Sequence, residues 1–153
     1  MMNGRHYDDG SSVYDFAEHF LVVCPKCFRC AKSSRIGEKG IKTLARIVCA
    51  NCGYSKDREL NSWRVGVPED WYFKLPLWLQ RNCCGQVLWA HNLEHLAYIE
   101  SYVSAGHRIR NQDATAVIRN ATMASRLPRW MIAAKNRSEV MHGIQLLREK
   151  AAT

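Results

Sequence analysis

Cysteine is the residue type with the most chemistry to offer in this chain, at seven of 153 residues. Four of the seven are spaced as metal ligands: Cys24-Pro25-Lys26-Cys27 and Cys49-Ala50-Asn51-Cys52. Two residues between thiolates let a tight backbone knuckle aim both sulfurs at one ion. Two knuckles facing each other then complete the tetrahedral four-sulfur shell that zinc prefers. With no coordinating histidine, carboxylate or water nearby, such a site is closed and structural. It stabilises folding and leaves no open position for catalysis. The expected cofactor is therefore one structural Zn2+ on Cys24, Cys27, Cys49 and Cys52. Cys30 extends the first pair to C-x-x-C-x-x-C, but the further cysteine and proline of a ferredoxin ligand run do not follow. It is expected as a spare, packed thiol.

A second set of residues invites catalysis. His91-Asn92-Leu93-Glu94-His95 matches H-x-x-E-H, the inverted zinc-protease motif, in which His91 and His95 would hold zinc and Glu94 would activate water. A third ligand is still required, and nothing singles one out. The motif also falls at a helix start, where Glu94 is favoured simply because an acid complements the positive end of the helix dipole. Cys83 or Cys84 could join the two histidines in a second zinc site, although adjacent cysteines are awkward ligands for one ion. No Walker loop, dinucleotide fingerprint, Ser/His/Asp order or carboxylate pair is present. The chain is expected not to be an enzyme, and no small-molecule substrate is expected.

The elements that must position these groups follow from local pattern. Phe20-Leu21-Val22-Val23 and Leu44-Ala45-Arg46-Ile47-Val48 read as strands entering the two knuckles. Between them, residues 33–40 have loop composition, and the spacing suits a hairpin. Leu75 to Leu79 and Gln86 to Trp89 read as short strands around Asn82-Cys83-Cys84-Gly85, with Pro76 at an edge. Asn92 can cap a helix from Leu93 to about Ala105, with Leu96, Ile99 and Val103 inward. Asp113 can cap a second helix containing Val117, Ala121 and Ala124. Pro128 suits the first turn of a third segment, in which Ser138 starts a helix with Val140, Ile144 and Leu147 on one face; Gly143 sits poorly there. Trp71, Tyr72, Phe73, Trp78 and Trp89 supply apolar mass to a small core. The expected fold is α+β: an N-terminal zinc ribbon with a small antiparallel sheet, a short β-hairpin, and about three helices. The expected divisions are a flexible acidic segment over 1–19, the ribbon over 20–60, and an aromatic hairpin with a basic helical region over 61–153.

Charge comes in blocks. The chain carries a net +8, made of an acidic start, a basic 21–70, a neutral 71–106 and a basic 107–153. Such a balance favours polyanionic or acidic partners and says little about fold. In the ribbon, Arg29, Lys32, Arg35, Lys42 and Arg46 are candidates for a partner surface, and in the C-terminal block Arg126, Arg129, Lys135 and Arg137. No run approaches the roughly 18 to 20 apolar residues of a membrane span, and Met1 to Gly10 lacks the apolar core of a secretory signal. A cytoplasmic location without membrane contact is expected.

The two Cys pairs with their flanking strands resemble the zinc ribbons of transcription factors, RNA polymerase subunits and many small bacterial proteins, over about residues 20–57. Later phrases, Leu77-Trp78-Leu79-Gln80, Gly85-Gln86-Val87-Leu88-Trp89-Ala90, His95-Leu96 and Leu127-Pro128-Arg129-Trp130 with Ala134-Lys135-Asn136-Arg137, look similar to an uncharacterised bacterial family containing a transcription-factor-type zinc ribbon. The resemblance implies a metal site and no particular activity, since ribbons bind DNA, RNA or protein. Two functions are expected in turn. One is a non-enzymatic nucleic-acid binder, in transcription or DNA maintenance. The alternative is a protein-interaction module, an accessory subunit or an antitoxin-like or immunity-like binder, whose basic faces meet an acidic protein.

Overall fold

The computed structural model describes residues 5–7, 19–40, 42–60, 62, 66–104, 107–109 and 127–152. In chain order the elements are β1 (Arg5–Tyr7), β2 (His19–Val23), β3 (Cys30–Lys39), β4 (Lys42–Val48), β5 (Ser55–Leu60), β6 (Leu79–Cys83), β7 (Gln86–Ala90), α1 (Leu93–Ser104), β8 (His107–Ile109), α2 (Arg129–Ile132) and α3 (Arg137–Ala151). A single 3-10 turn, Ala134–Asn136, joins the last two helices. Strands β2 to β5 form an antiparallel sheet in sequence order, β6 and β7 a hairpin, and β1 pairs in parallel with β8. This is the expected α+β arrangement, with the cysteine pairs in the N-terminal sheet region.

Side chains alternate across the sheet as strand geometry demands. Phe20 and Val22 of β2, Ala31 and Ser33 of β3, and Ala45 and Ile47 of β4 are buried on one face. Trp71, Tyr72 and Leu77 cover that face. The expected strands at Phe20 and Leu44 are present. The loop expected over 33–40 is instead the second half of β3, a central strand bonded to both β2 and β4. Its Ser, Gly and Glu content argues against a strand locally, but β2 pairs with it as far as Ser34 and β4 carries the pairing on to Lys39. The pairing slips between Arg35 and Gly37, where a bulge absorbs the mismatch. β5 had no signal in the sequence: Ser55 to Glu59 are all exposed, because it is an edge strand with both faces wet.

The other edge, β2, is covered by the downstream chain. Val23 N donates to Pro76 O at 2.9 Å, Trp78 N to Leu21 O at 2.8 Å and Leu21 N to His91 O at 2.8 Å. Pro76 lacks an N–H and so fits only at such an edge, as expected. Asp70 fixes the turn that brings this segment in. Its carboxylate, buried, accepts from Ser33 Oγ at 2.8 Å and from the backbone N–H groups of Tyr72, Phe73 and Leu75 at 3.1, 2.9 and 2.8 Å. One side chain thereby ties the middle of β3 to the aromatic turn.

A second apolar cluster holds the C-terminal half: Leu79 and Leu88 of the hairpin, Leu96, Ile99 and Val103 of α1, and Val140, Ile144 and Leu147 of α3. The hairpin strands run Leu79–Cys83 and Gln86–Ala90, so the first begins where the sequence pattern ended it. Asn92 caps α1 as expected, its Oδ1 accepting from His95 N at 2.9 Å. α3 starts at Arg137, one residue before the expected Ser138. Gly143 has a packing reason: a Cβ there would lie 3.0 Å from Leu88 Cδ2, so its absence lets the hairpin close onto the helix. Arg148 forks onto Glu100 at 2.9 and 2.7 Å, fastening α3 to α1. Trp71 and Tyr72 are buried and Phe73, Trp78 and Trp89 pack partly buried, which is the core role expected of the aromatics. The acidic segment up to residue 18, apart from β1, and the helix expected from Asp113 lie outside the described residues.

Candidate metal centre

The sulfurs of Cys24, Cys27, Cys49 and Cys52 lie within 4.8 Å of one another. Cys24 Sγ is 3.7 Å from Cys52 Sγ, and Cys27 Sγ is 3.5 Å from Cys49 Sγ. Thiolates placed about 2.3 Å from a central ion form a tetrahedron with edges of about 3.8 Å. The donor set therefore fits a closed shell around one metal ion.

Strand ends and matching turns build the shell. Cys24 follows β2 and Cys49 follows β4, so each knuckle begins as its strand stops pairing. In the first, Cys24 N donates to Arg29 O and Phe28 N to Cys24 O, at 2.7 and 2.9 Å. In the second, Cys49 N donates to Tyr54 O and Gly53 N to Cys49 O, at 2.8 and 2.9 Å. The two turns are copies of one another, and the fifth residue of each has a positive φ, 62° at Phe28 and 80° at Gly53.

Backbone and side-chain N–H groups point at the sulfurs. Lys26 N and Cys27 N approach Cys24 Sγ at 3.4 and 3.5 Å, and Asn51 Nδ2 approaches Cys27 Sγ at 3.4 Å. The Asn51 amide, aided by the Arg29 backbone N–H, pulls the Cys27 thiol down to about 6. Burial pushes the Cys24 thiol up, but the backbone amides of Cys27 and Lys26 outweigh it and the group ends below its ordinary value. The Tyr54 amide favours the Cys52 thiolate, yet burial and the three neighbouring sulfurs raise that group to about 12. A cluster that releases its first protons easily and its last with difficulty is one that a divalent cation completes. Cys30 stays outside the shell, its half-buried thiol pushed up by burial and by Cys49.

Of the H-x-x-E-H residues, the two histidines come together but Glu94 does not join them. His91 precedes α1, and it and His95 are buried while Glu94 is exposed. The two imidazoles, 4.6 Å apart, sit among Phe20, Trp71 and Trp89, with His91 stacked on Trp89 at 5.5 Å. His95 Nδ1 accepts from His91 N at 3.0 Å, and burial, with a contribution from His91, holds its pKa well below the ordinary histidine value. Both rings are packed into the core. The thiols of Cys83 and Cys84 are also apart from them, because Leu79 pairs with Ala90 next to His91 whereas Cys83 pairs with Gln86 at the far end of the hairpin. Burial pushes both of these thiols up, Cys84 to about 12.

The basic candidates divide. Arg46 forks onto Asp57, at 2.7 and 3.0 Å, and Lys42 lies 4.0 Å from Glu59. β5 thus neutralises part of the block that the sequence alone presented as free charge. Lys26, Arg29 and Lys32 are exposed, with no ion pair among the described residues. Lys32 and Arg35 line a shallow open groove with His19 and Ser34. Arg129 opens α2, Lys135 lies in the 3-10 turn and Arg137 opens α3. Arg126 is outside the described residues. Trp130 is packed against the second cluster.

Phe28 and Asn51 were missed in the sequence. Asn51 was visible only as a knuckle residue. Phe28 had a signal: it occupies the position of Gly53 in the repeated turn, yet it is large and 71% exposed. Among the described residues no helix is long and apolar enough to cross a membrane. No protein-family model, curated protein or solved structure matches the chain.

Proposed function

We propose that the chain is a non-enzymatic zinc-ribbon protein that binds nucleic acid, with one structural Zn2+ on Cys24, Cys27, Cys49 and Cys52, in the manner of the transcription-factor-type ribbons it resembles. The observation that carries the reading is the tip of the first knuckle. Phe28 holds a left-handed backbone conformation that costs a bulky L-residue about 1–2 kcal/mol, where the twin turn uses glycine. The side chain so displayed is exposed and flanked by Lys26 and Arg29, with Lys32 on the following strand.

An aromatic face beside cations is the combination that stacks on an unpaired base while neutralising its phosphates. The groove of His19, Lys32, Ser34 and Arg35 continues the cationic surface along the sheet. Arg137 stands at the start of the 15-residue α3, where the helix dipole disfavours a cation and a bound anion offsets it. The metal's part is to brace the knuckle; the contacts give affinity and salt dependence rather than sequence reading.

Fluorescence titration with labelled single-stranded DNA, duplex DNA and RNA tests the proposal. Binding at about 50 mM salt, falling steeply as salt rises, is expected. Lys26→Glu with Arg29→Glu should abolish it, and Phe28→Ala should weaken single-strand binding while leaving the salt slope unchanged. Absence of binding to all three at that salt overturns the proposal and leaves the protein-interaction reading.

A further inference from the structure

The structure brings together a second group of metal-binding side chains, and it is not the histidine site that the sequence invited. Cys84 and Gly85, with φ of 55° and 74°, form the two-residue turn between β6 and β7. Turns with two positive φ values favour asparagine, aspartate or glycine at the first position. Cysteine there is strained, and what the strain produces is a juxtaposition. Successive strand residues point to opposite faces, but the left-handed backbone at Cys84 brings its Sγ back to 3.7 Å from Cys83 Sγ. That separation is again close to the edge of a tetrahedral sulfur shell.

A carboxylate completes the group. Glu139, in the first turn of α3, accepts from Cys84 N at 2.6 Å through one oxygen, and its backbone carbonyl lies 3.7 Å from Cys83 Sγ. One ligand atom from each of Cys83, Cys84 and Glu139 can be chosen so that all lie within 4.8 Å of one another. The approach depends on Gly143, one turn farther along, since a Cβ there would stand 3.6 Å from Cys83 Sγ and 3.0 Å from Leu88 Cδ2. Cys83 is buried, Cys84 half-buried and Glu139 exposed, so the group is anchored on one side and open to solvent on the other.

We infer that Cys83, Cys84 and Glu139 form a second site for a thiophilic divalent cation of the zinc class, with two thiolates and one carboxylate as protein ligands and a fourth position open to solvent. Binding forms two metal–sulfur bonds and one metal–oxygen bond, and the two thiol protons leave to the solvent. Unlike the closed four-sulfur shell, this site keeps a position for water or another small ligand. It also joins the hairpin tip to the start of α3, elements 55 residues apart in the chain.

Cobalt(II) titration of the full chain, held reduced by a phosphine, tests the inference. Two equivalents per chain are expected. One should give the intense visible bands of a four-sulfur tetrahedral shell, and the other weaker thiolate-to-cobalt charge transfer from two sulfurs. Cys84→Asn suits the turn and preserves folding; it should lower the stoichiometry to one and leave the four-sulfur bands intact. Glu139→Gln should weaken the second equivalent by more than about tenfold. A single equivalent in the unaltered chain, or a second equivalent that persists unweakened in Cys84→Asn, overturns the inference. Neither result depends on whether nucleic acid binds.

Discussion

The ribbon and the helical half solve the same stability problem by different means. In the sheet of β2 to β5, apolar side chains cover one face only, β5 contributes almost nothing buried, and the cysteine cluster closes the end. In the C-terminal half, Leu79, Leu88, Leu96, Ile99, Ile144 and Leu147 are at most about 1% exposed and pack into one apolar cluster. Burying each such side chain stabilises by about 1.5–3 kcal/mol. The lesson is that metal dependence should be local. If an ion fills the four-sulfur shell, the ribbon's order rests on it, whereas the helices' order rests on area removed from water.

Chelation breaks the comparison most severely. Metal coordination stabilises small thiolate sites by about 10–16 kcal/mol at neutral pH. Stripping metal from the chain, or Cys49→Ser, should therefore erase the amide dispersion of β2 to β5 in an NMR spectrum while the far-ultraviolet signal of α1 and α3 persists. Loss of both signals together would show that the halves share one cooperative core.

Ile144→Ala attacks the other half. It should destabilise by about 2–5 kcal/mol in denaturant and leave the cobalt bands of the four-sulfur shell unchanged. Asp70→Ala strikes the seam between the sheet and the aromatic turn that covers it. With Ser33 Oγ and three backbone N–H groups left without their acceptor, a loss of about 1–3 kcal/mol is expected in the denaturant unfolding of the ribbon.

Acid adds a smaller effect. A buried histidine held neutral takes up a proton only on unfolding, so below its ordinary value of 6.5 the unfolded state binds the extra proton and stability falls as pH falls. Above that value the contribution is constant. His95→Gln should flatten the part of the profile below 6.5 measured by denaturant midpoints.

The finest test compares the two knuckles. Phe28→Gly should stabilise the ribbon by about 1 kcal/mol and Gly53→Ala should destabilise it by a similar amount, because both positions hold positive φ. A stabilised ribbon that binds nucleic acid less well would mark Phe28 as retained for its surface.

What could be read in the sequence was what is local. The C-x2-C spacings located the sulfurs, and Asn92 with Leu96, Ile99 and Val103 located α1, because a knuckle or a helix turn is specified within a few residues. What could not be read depends on distant partners. Ser33 to Lys39 forms a strand because β4 pairs along it, with β2 beside its first two residues. Asp70 finds Ser33 across 37 residues and Glu139 finds Cys84 across 55. The H-x-x-E-H spacing was legible and misleading, since the start of α1 at Leu93 sends Glu94 outward and leaves His91 and His95 in the core.

The two borders of the sheet have a consequence for the molecule in crowded solution. One border is closed by Pro76 to Trp78. The other is β5, where exposed Lys56 and Arg58 alternate across the strand with exposed Asp57 and Glu59. A strand from a second copy approaching that edge would meet charged side chains on both faces, which have to give up water before a backbone hydrogen bond is gained. The sheet thus resists growth at both borders, whether or not the cysteine cluster at its end holds an ion.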